Sequence, residues 1–249
     1  MSDKTSIGDR MKRYEKASRI YLTPRMPIII RCDGKAFHTY TKGFEKPWDG
    51  ALQTAMTYAA SVLISEIPGV DFAYIQSDEI SLLINTYKKF NTAAWFDGNM
   101  QKIASVSASI VTASFNTSIY SNALAKGASK PALFDSRCFI IPREEVVNYF
   151  HWREIDAIRN SISGYAQANF SHKELHKKST KDMKEMLIKK GLSWERDVST
   201  KNKRGWCVVR TTYETNDGTK RTKHLIDNEI PLFSKDRNYI GRFLIQEEV

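Results

Sequence analysis

Apolar residues recur along this chain in two rhythms. Between Thr5 and Ile20 they fall at Ile7, Met11, Tyr14 and Ala17, a helical spacing behind Thr5 or Ser6 as N-cap, and Pro24 and Pro27 end the segment. PIIIRCD (Pro27 to Asp33) is instead an unbroken apolar run that closes on a carboxylate and Gly34, the pattern of a buried strand. Helical spacing returns from Trp48 to Ile67 through Leu52, Ala55, Met56, Ala59, Val62 and Leu63, and stops at Pro68-Gly69. Val70 to Ile75 and Glu79 to Asn85 read as two strands around a polar cluster, Gln76-Ser77-Asp78-Glu79. Asn99 to Tyr120 reads as a helix of small residues suited to lying close on a sheet, and Leu133 to Ile141 as a strand ended by Pro142.

This strand-helix-strand-strand-helix-strand order predicts an α+β fold of ferredoxin-like topology, an antiparallel sheet with helices on one face. Right-handed crossover makes the first two strands parallel and leaves room for the third, running back, between them. The end of the first strand then meets the turn before the third, and Asp33 arrives beside Asp78. Two carboxylates in contact raise the pKa of one of them unless a cation intervenes, and all-oxygen ligands suit magnesium. Beyond Pro142 the pattern predicts helices over Glu144 to Tyr165 and Thr180 to Lys190, then strands at Trp206 to Tyr213 and His224 to Ile230 around the turn Asn216-Asp217-Gly218. The expected organisation is a catalytic domain over residues 1–142 and an appended α/β module over 143–249.

Charge adds a partner class. The 249 residues carry a formal net charge of +10, and from Ser171 to His224 there are 15 Lys or Arg against 7 Asp or Glu. Clusters such as Lys177-Lys178, Lys189-Lys190 and Lys201 to Arg204 suit phosphates, although charge runs are also common on solvated faces. Cys32, Cys138 and Cys207 form no close pair, which supports neither a disulfide framework nor a cysteine zinc site. No secretory h-region and no apolar run of about 20 residues is present, so the expected location is cytoplasmic, without a membrane partner.

RCDGKAFHTYTKGFEKPWD (Arg31 to Asp49) and YIQSDEIS (Tyr74 to Ser81), with FDGNMQKIASVSAS (Phe96 to Ser109), FDSR (Phe134 to Arg137) and NYFHWREIDAIRN (Asn148 to Asn160), resemble the signature of the tRNA-histidine guanylyltransferase superfamily. Its members are reverse polymerases that add nucleotides to the 5′ end of tRNA. The resemblance implies a palm domain like that of polymerases and nucleotidyl cyclases, and a homotetramer that binds tRNA. It also implies two Mg²⁺ ions and ATP, GTP or other nucleoside triphosphates as substrates. Asp33 and Asp78 match the metal-binding carboxylates, and Gly34 the position whose carbonyl also reaches a metal. Lys35, Ala36, Phe37 and His38 match the loop passing the triphosphate and base; Ser77 shares that contact, and Lys46 and Lys102 match basic residues near the triphosphates. Glu79 is either a further catalytic acid or a residue behind the site.

Where the histidine-tRNA enzymes carry a HINNLYNT-type motif this chain has AIRNSISG (Ala157 to Gly164), keeping Asn160. This departure points to the bacterial and archaeal like-protein branch, whose members add nucleotides under template direction and repair 5′-truncated tRNA. The alternatives are dedicated addition of guanosine to histidine tRNA, a nucleotide cyclase, and a non-catalytic RNA-binding protein.

Overall fold

A computed structural model describes residues 5–89, 91–121 and 130–245. Strands β1 (Ile28–Gly34), β2 (Val70–Gln76), β3 (Glu79–Ile84), β4 (Phe134–Ile140), β5 (Trp206–Glu214) and β6 (Lys220–Asp227) form one sheet in the order β4-β1-β3-β2-β5-β6. Every neighbouring pair is antiparallel. The first four strands have the expected order, with β3 between β1 and β2. The α-helices are α1 (Ile7–Ala17), α2 (Phe37–Tyr40), α3 (Gly50–Glu66), α4 (Met100–Ser121) and α5 (Val146–Gln167), then five shorter ones among the described residues, α6 (His172–Leu175), α7 (Thr180–Lys189), α8 (Trp194–Asp197), α9 (Thr200–Arg204) and α10 (Asn238–Gly241).

Alternate residues of the strands feed two separate cores. Ile28, Ile30 and Cys32 of β1, with Ile80, Leu82 and Ile84 of β3, pack under α3 and α4. Ile29, Phe72, Tyr74 and Leu83 pack on the other face under Val146, Val147 and Phe150 of α5, with Ile230 and Phe233. The sheet is covered on both faces, and all six residues of β3 are buried, the polar Glu79 and Ser81 included.

The helices α3 and α4 of the part before residue 142 lie on one face, as expected, and α5 from the later part covers the other. β5 pairs with β2, from Phe72↔Val209 to Ile75↔Trp206, so the later segment extends the same sheet. Strand β6 begins and ends earlier than the pattern predicts. It is an edge strand with mostly exposed positions, so its register follows the turn and the β5 pairing, Glu214↔Lys220, rather than apolar residues.

Candidate active site

The site begins with two backbone events. The Gly34 N–H donates to the Asp78 carbonyl (3.1 Å), and Asp33 stands opposite Glu79 in the β1–β3 register. Asp78 sits in the two-residue turn between Gln76 and Glu79, where Ser77 adopts φ +50°. Tight hairpins of two residues require positive φ, and serine adopts it at a strain of order 1 kcal/mol. The Ser77 hydroxyl donates to the Asp78 carboxylate at 2.9 Å. Burial pushes the Asp78 carboxyl up to about 6; the Ser77 hydrogen bond opposes the rise and the Asp33 carboxylate adds to it. The predicted convergence of the two acids is therefore present in the fold.

This donor set fits a magnesium ion. The two acids bear oxygen donors only, one is held against its neighbour at an electrostatic cost, and a divalent cation relieves that cost. Among the described residues no group of three His, Cys, Asp or Glu gathers in a form that could hold a metal. The remaining ligands would therefore be backbone oxygen, water and substrate phosphate, the usual completion for magnesium.

The loop after β1 is fixed by packing. The Phe37 ring is buried, with centroids 5.0 Å from Tyr40, 5.6 Å from Phe115 and 5.1 Å from Phe134. It lies so close over Gly34 that a Cβ there would fall 2.2 Å from the ring, which gives the DG pair its physical reason. Ala36 takes φ +53°, turning the chain into α2. Lys35 and His38 are exposed, and the Lys35 N–H donates to the Leu133 carbonyl at 2.8 Å.

Two sequence-predicted residues are placed elsewhere. Glu79 shares a sheet face with Asp33 as its cross-strand partner, yet it is buried and both its oxygens are taken by Arg153, at 2.8 and 2.7 Å. A carboxylate chelated by a guanidinium is held as an ion pair, which fits the second of the two expected alternatives, a residue behind the site. Lys102 lies in the first turn of α4 with its ammonium over the Phe96 ring at 5.6 Å. It is Thr112, in the middle of α4, that meets Phe134 opposite Gly34. Ten residues, about 15 Å of helix, separate the two. Within one chain Lys102 is therefore remote from the acids.

A cavity of about 250 Å³ opens at the Ser77-Asp78 turn, with Phe37 and Lys46 also lining it. Its walls also include the segment from Glu45 to Asp49, residues of α3 (Leu52, Gln53, Met56) and α5 (Ala157, Asn160, Ser161), and the segment Lys201, Asn202 and Trp206. Gly205 brings that last segment in: it has φ +83°, and a Cβ there would lie 2.3 Å from the Ile75 carbonyl oxygen. The Gln53 side-chain amide donates to Asn202 Oδ1 at 2.7 Å, joining α3 to α9. Sequence reading missed these α9 contributions. Their signal was the Lys201 to Arg204 cluster, which gave a charge but no address.

The family model described as tRNAHis guanylyltransferase (Thg1) matches residues 8–142. A tRNA(His) guanylyltransferase of Schizosaccharomyces pombe is 33% identical over 155 residues, which is 61% of this chain and 56% of that protein. The chain thus spans about half the length of this curated relative. Among solved structures, a bacterial tRNA(His) guanylyltransferase-like protein in complex with ATP superposes with a TM-score of 0.89 at 46% identity, over 97% of this chain and 100% of the other. The corresponding structure in complex with GTP gives 0.83 at 46% identity, over 96% and 99%.

Proposed function

Because the chain belongs to the tRNAHis guanylyltransferase family, we propose that it is a nucleotidyltransferase that adds nucleotides in the 3′–5′ direction to the 5′ end of tRNA, directed by the opposite strand, and so repairs truncated 5′ ends. The observation that carries this reading is the junction of Asp33-Gly34 with Asp78, which lines a cavity of about 250 Å³. The likeness to a protein bound to ATP in one structure and GTP in another supports nucleoside triphosphates as its ligands.

In this reading the first step joins ATP to a 5′-monophosphorylated RNA end and releases pyrophosphate. The 3′-hydroxyl of an incoming nucleoside triphosphate then attacks the activated phosphorus, and AMP leaves. Asp33, Asp78 and the Gly34 carbonyl would hold magnesium, which when bound offsets phosphate charge and acidifies a nearby hydroxyl. Lys46, exposed at the cavity rim with its ammonium 3.3 Å from Thr41 Oγ1, is free to follow phosphate charge as it redistributes. Phe37 and Ser77 set the shape of the entrance through packing and turn geometry. The basic 171–224 segment is the proposed contact with the tRNA backbone. Ile7, Met11 and Tyr14 of α1 are all exposed, and this uncovered apolar stripe supports the homotetramer that the resemblance implies. Among the described residues no helix is long and apolar enough to cross a membrane, and the proposed location is the cytoplasm.

The test is a panel of tRNAs lacking the first nucleotide, each offered every nucleoside triphosphate singly. Restoration of whichever base complements the opposite strand is the expected result. Addition of guanosine regardless of the opposing base would transfer the assignment to histidine-tRNA maturation, and pyrophosphate-free RNA binding would remove the enzymatic reading.

A further inference from the structure

Consecutive residues of α5 reach two different walls of the cavity. Arg153 holds Glu79, the neighbour of Asp78, while Glu154 points toward α9. Glu154 is fully buried; its Oε2 accepts the Phe233 N–H at 3.1 Å and lies 3.3 Å from His151 Nδ1. Its Oε1 has no hydrogen bond among the described residues and faces Arg204 Nη1 at 3.6 Å, an ion-pair distance. Burial raises the Glu154 carboxyl above its ordinary value, and the His151, Phe233 and Arg204 contacts oppose the rise. Arg204 is the last residue of α9, whose Lys201 and Asn202 line the cavity with Gly205 and Trp206 just beyond them. Arg204 Nη2 donates to the Ile230 carbonyl at 2.6 Å, and the Arg204 carbonyl accepts the Tyr74 hydroxyl.

A buried pair of this kind is a poor source of stability. Desolvating both charges costs about what their attraction returns, so replacing both with neutral side chains is often harmless, whereas removing one strands the other. What the pair supplies is register. An apolar contact between α5 and α9 tolerates sliding, but a planar guanidinium with one arm on the Ile230 carbonyl and the other toward Glu154 has a single orientation. We propose that Glu154 is a positioning residue: through Arg204 it fixes how far the α9 wall stands from the Asp78 turn, and so sets the width of the cavity that the nucleotide enters. Glu154 does not itself line the cavity and acts only through the element it holds. Polar and apolar side chains mix around that cavity, Glu45, Asp49, Gln53 and Asn160 beside Leu52 and Met56. The width therefore matters to a bound nucleotide whichever base the opposite strand selects.

Because this role presupposes the nucleotide site proposed above, wall position is read separately from binding. The full chain is labelled with 5-fluorotryptophan, and the fluorine NMR signal of Trp206, buried in the cavity lining against Thr57, is identified by its absence in Trp206→Phe. Trp95, stacked on Phe96 on the α4 side of the sheet, is the internal control. Glu154→Gln keeps an acceptor for the Phe233 N–H and removes the charge. It is expected to move the Trp206 signal, to leave that of Trp95 in place, and to raise the calorimetric Kd for magnesium ATP about tenfold, with near-ultraviolet circular dichroism showing a folded chain. Glu154→Gln/Arg204→Met removes the pair as a unit, and is expected to melt above Glu154→Gln alone yet to keep the weakened affinity. Affinity that recovers together with the melting temperature would make the pair a stabilising contact only and overturn the proposal. Either an unmoved Trp206 signal or an unchanged Kd in folded Glu154→Gln would do the same. Should Glu154→Gln fail to fold, Arg204→Lys, which retains the charge and loses the fork, carries the same two readouts with the same expected changes. A wild type that binds no nucleoside triphosphate would refute the function proposed above, and the Trp206 signal would then still decide whether Glu154 places the wall.

Discussion

At the scale of single residues the site is built on an electrostatic conflict. Asp78 carries a carboxyl raised to about 6 by burial and by Asp33. A carboxyl whose folded pKa lies above its unfolded value near 3.9 binds its proton more tightly in the folded state. Folding therefore gains from protonation at low pH, and the ionised form becomes a cost as pH rises from about 4 through 6. Discounted for solvent screening, that cost is about 2 kcal/mol at pH 8. Asp78→Asn removes it, so the variant is expected to melt several degrees above wild type at pH 8, to lose that advantage at pH 4, and to have no turnover. Calorimetric scans across this range decide the matter, and an advantage that persists unchanged at pH 4 would assign it to packing. Glu79, adjacent in sequence, contrasts with it: two hydrogen bonds from Arg153 satisfy its charge. One of two neighbouring acids is left in need of a cation and the other is not.

At the scale of elements, the cavity depends on α9 reaching β2. The approach is possible because Gly205 stands between α9 and β5 with φ +83° and its Cα almost against the Ile75 carbonyl and the Tyr74 ring. The Tyr74 hydroxyl donates to the Arg204 carbonyl, and Trp206 Nε1–H donates to Thr57 Oγ1 at 2.9 Å, so both sides of the glycine are tied to the first part of the chain. Gly205→Ala adds a methyl group into backbone and takes an unfavourable φ as well, at an expected cost of about 3 kcal/mol. Urea denaturation should show a lower midpoint with an unchanged slope, and GTP affinity should fall in the fraction that remains folded. A midpoint within error of wild type would mean that α9 shifts freely, and the wall it forms would not be rigid.

At the scale of the whole molecule, charge and sheet continuity act together. The net +8 carried between Ser171 and His224, from 15 basic and 7 acidic residues, lies in the segment that also closes the cavity. If this segment neutralises about four RNA phosphates, tRNA affinity should fall roughly 100-fold between 50 and 200 mM salt. GTP binding, held by a few buried contacts, should fall far less. Filter binding of tRNA beside calorimetry of GTP over the same salt series checks this, and parallel slopes would remove the basic segment from the RNA-binding role. The sequence by itself determined the order β1-α3-β2-β3-α4-β4 and hence the meeting of Asp33 with Asp78, because hydrophobic period and crossover handedness are local or nearly local constraints. It also showed Gly34 and the Ser77-Asp78 turn. It could not show that Arg153 claims Glu79 from 74 residues away, that α4 carries Lys102 away from the acids, or that β5 joins β2 and draws Lys201 into the cavity. Those outcomes depend on which side chains lie opposite one another after the sheet is paired and both of its faces are covered, and neither periodicity nor composition encodes that pairing.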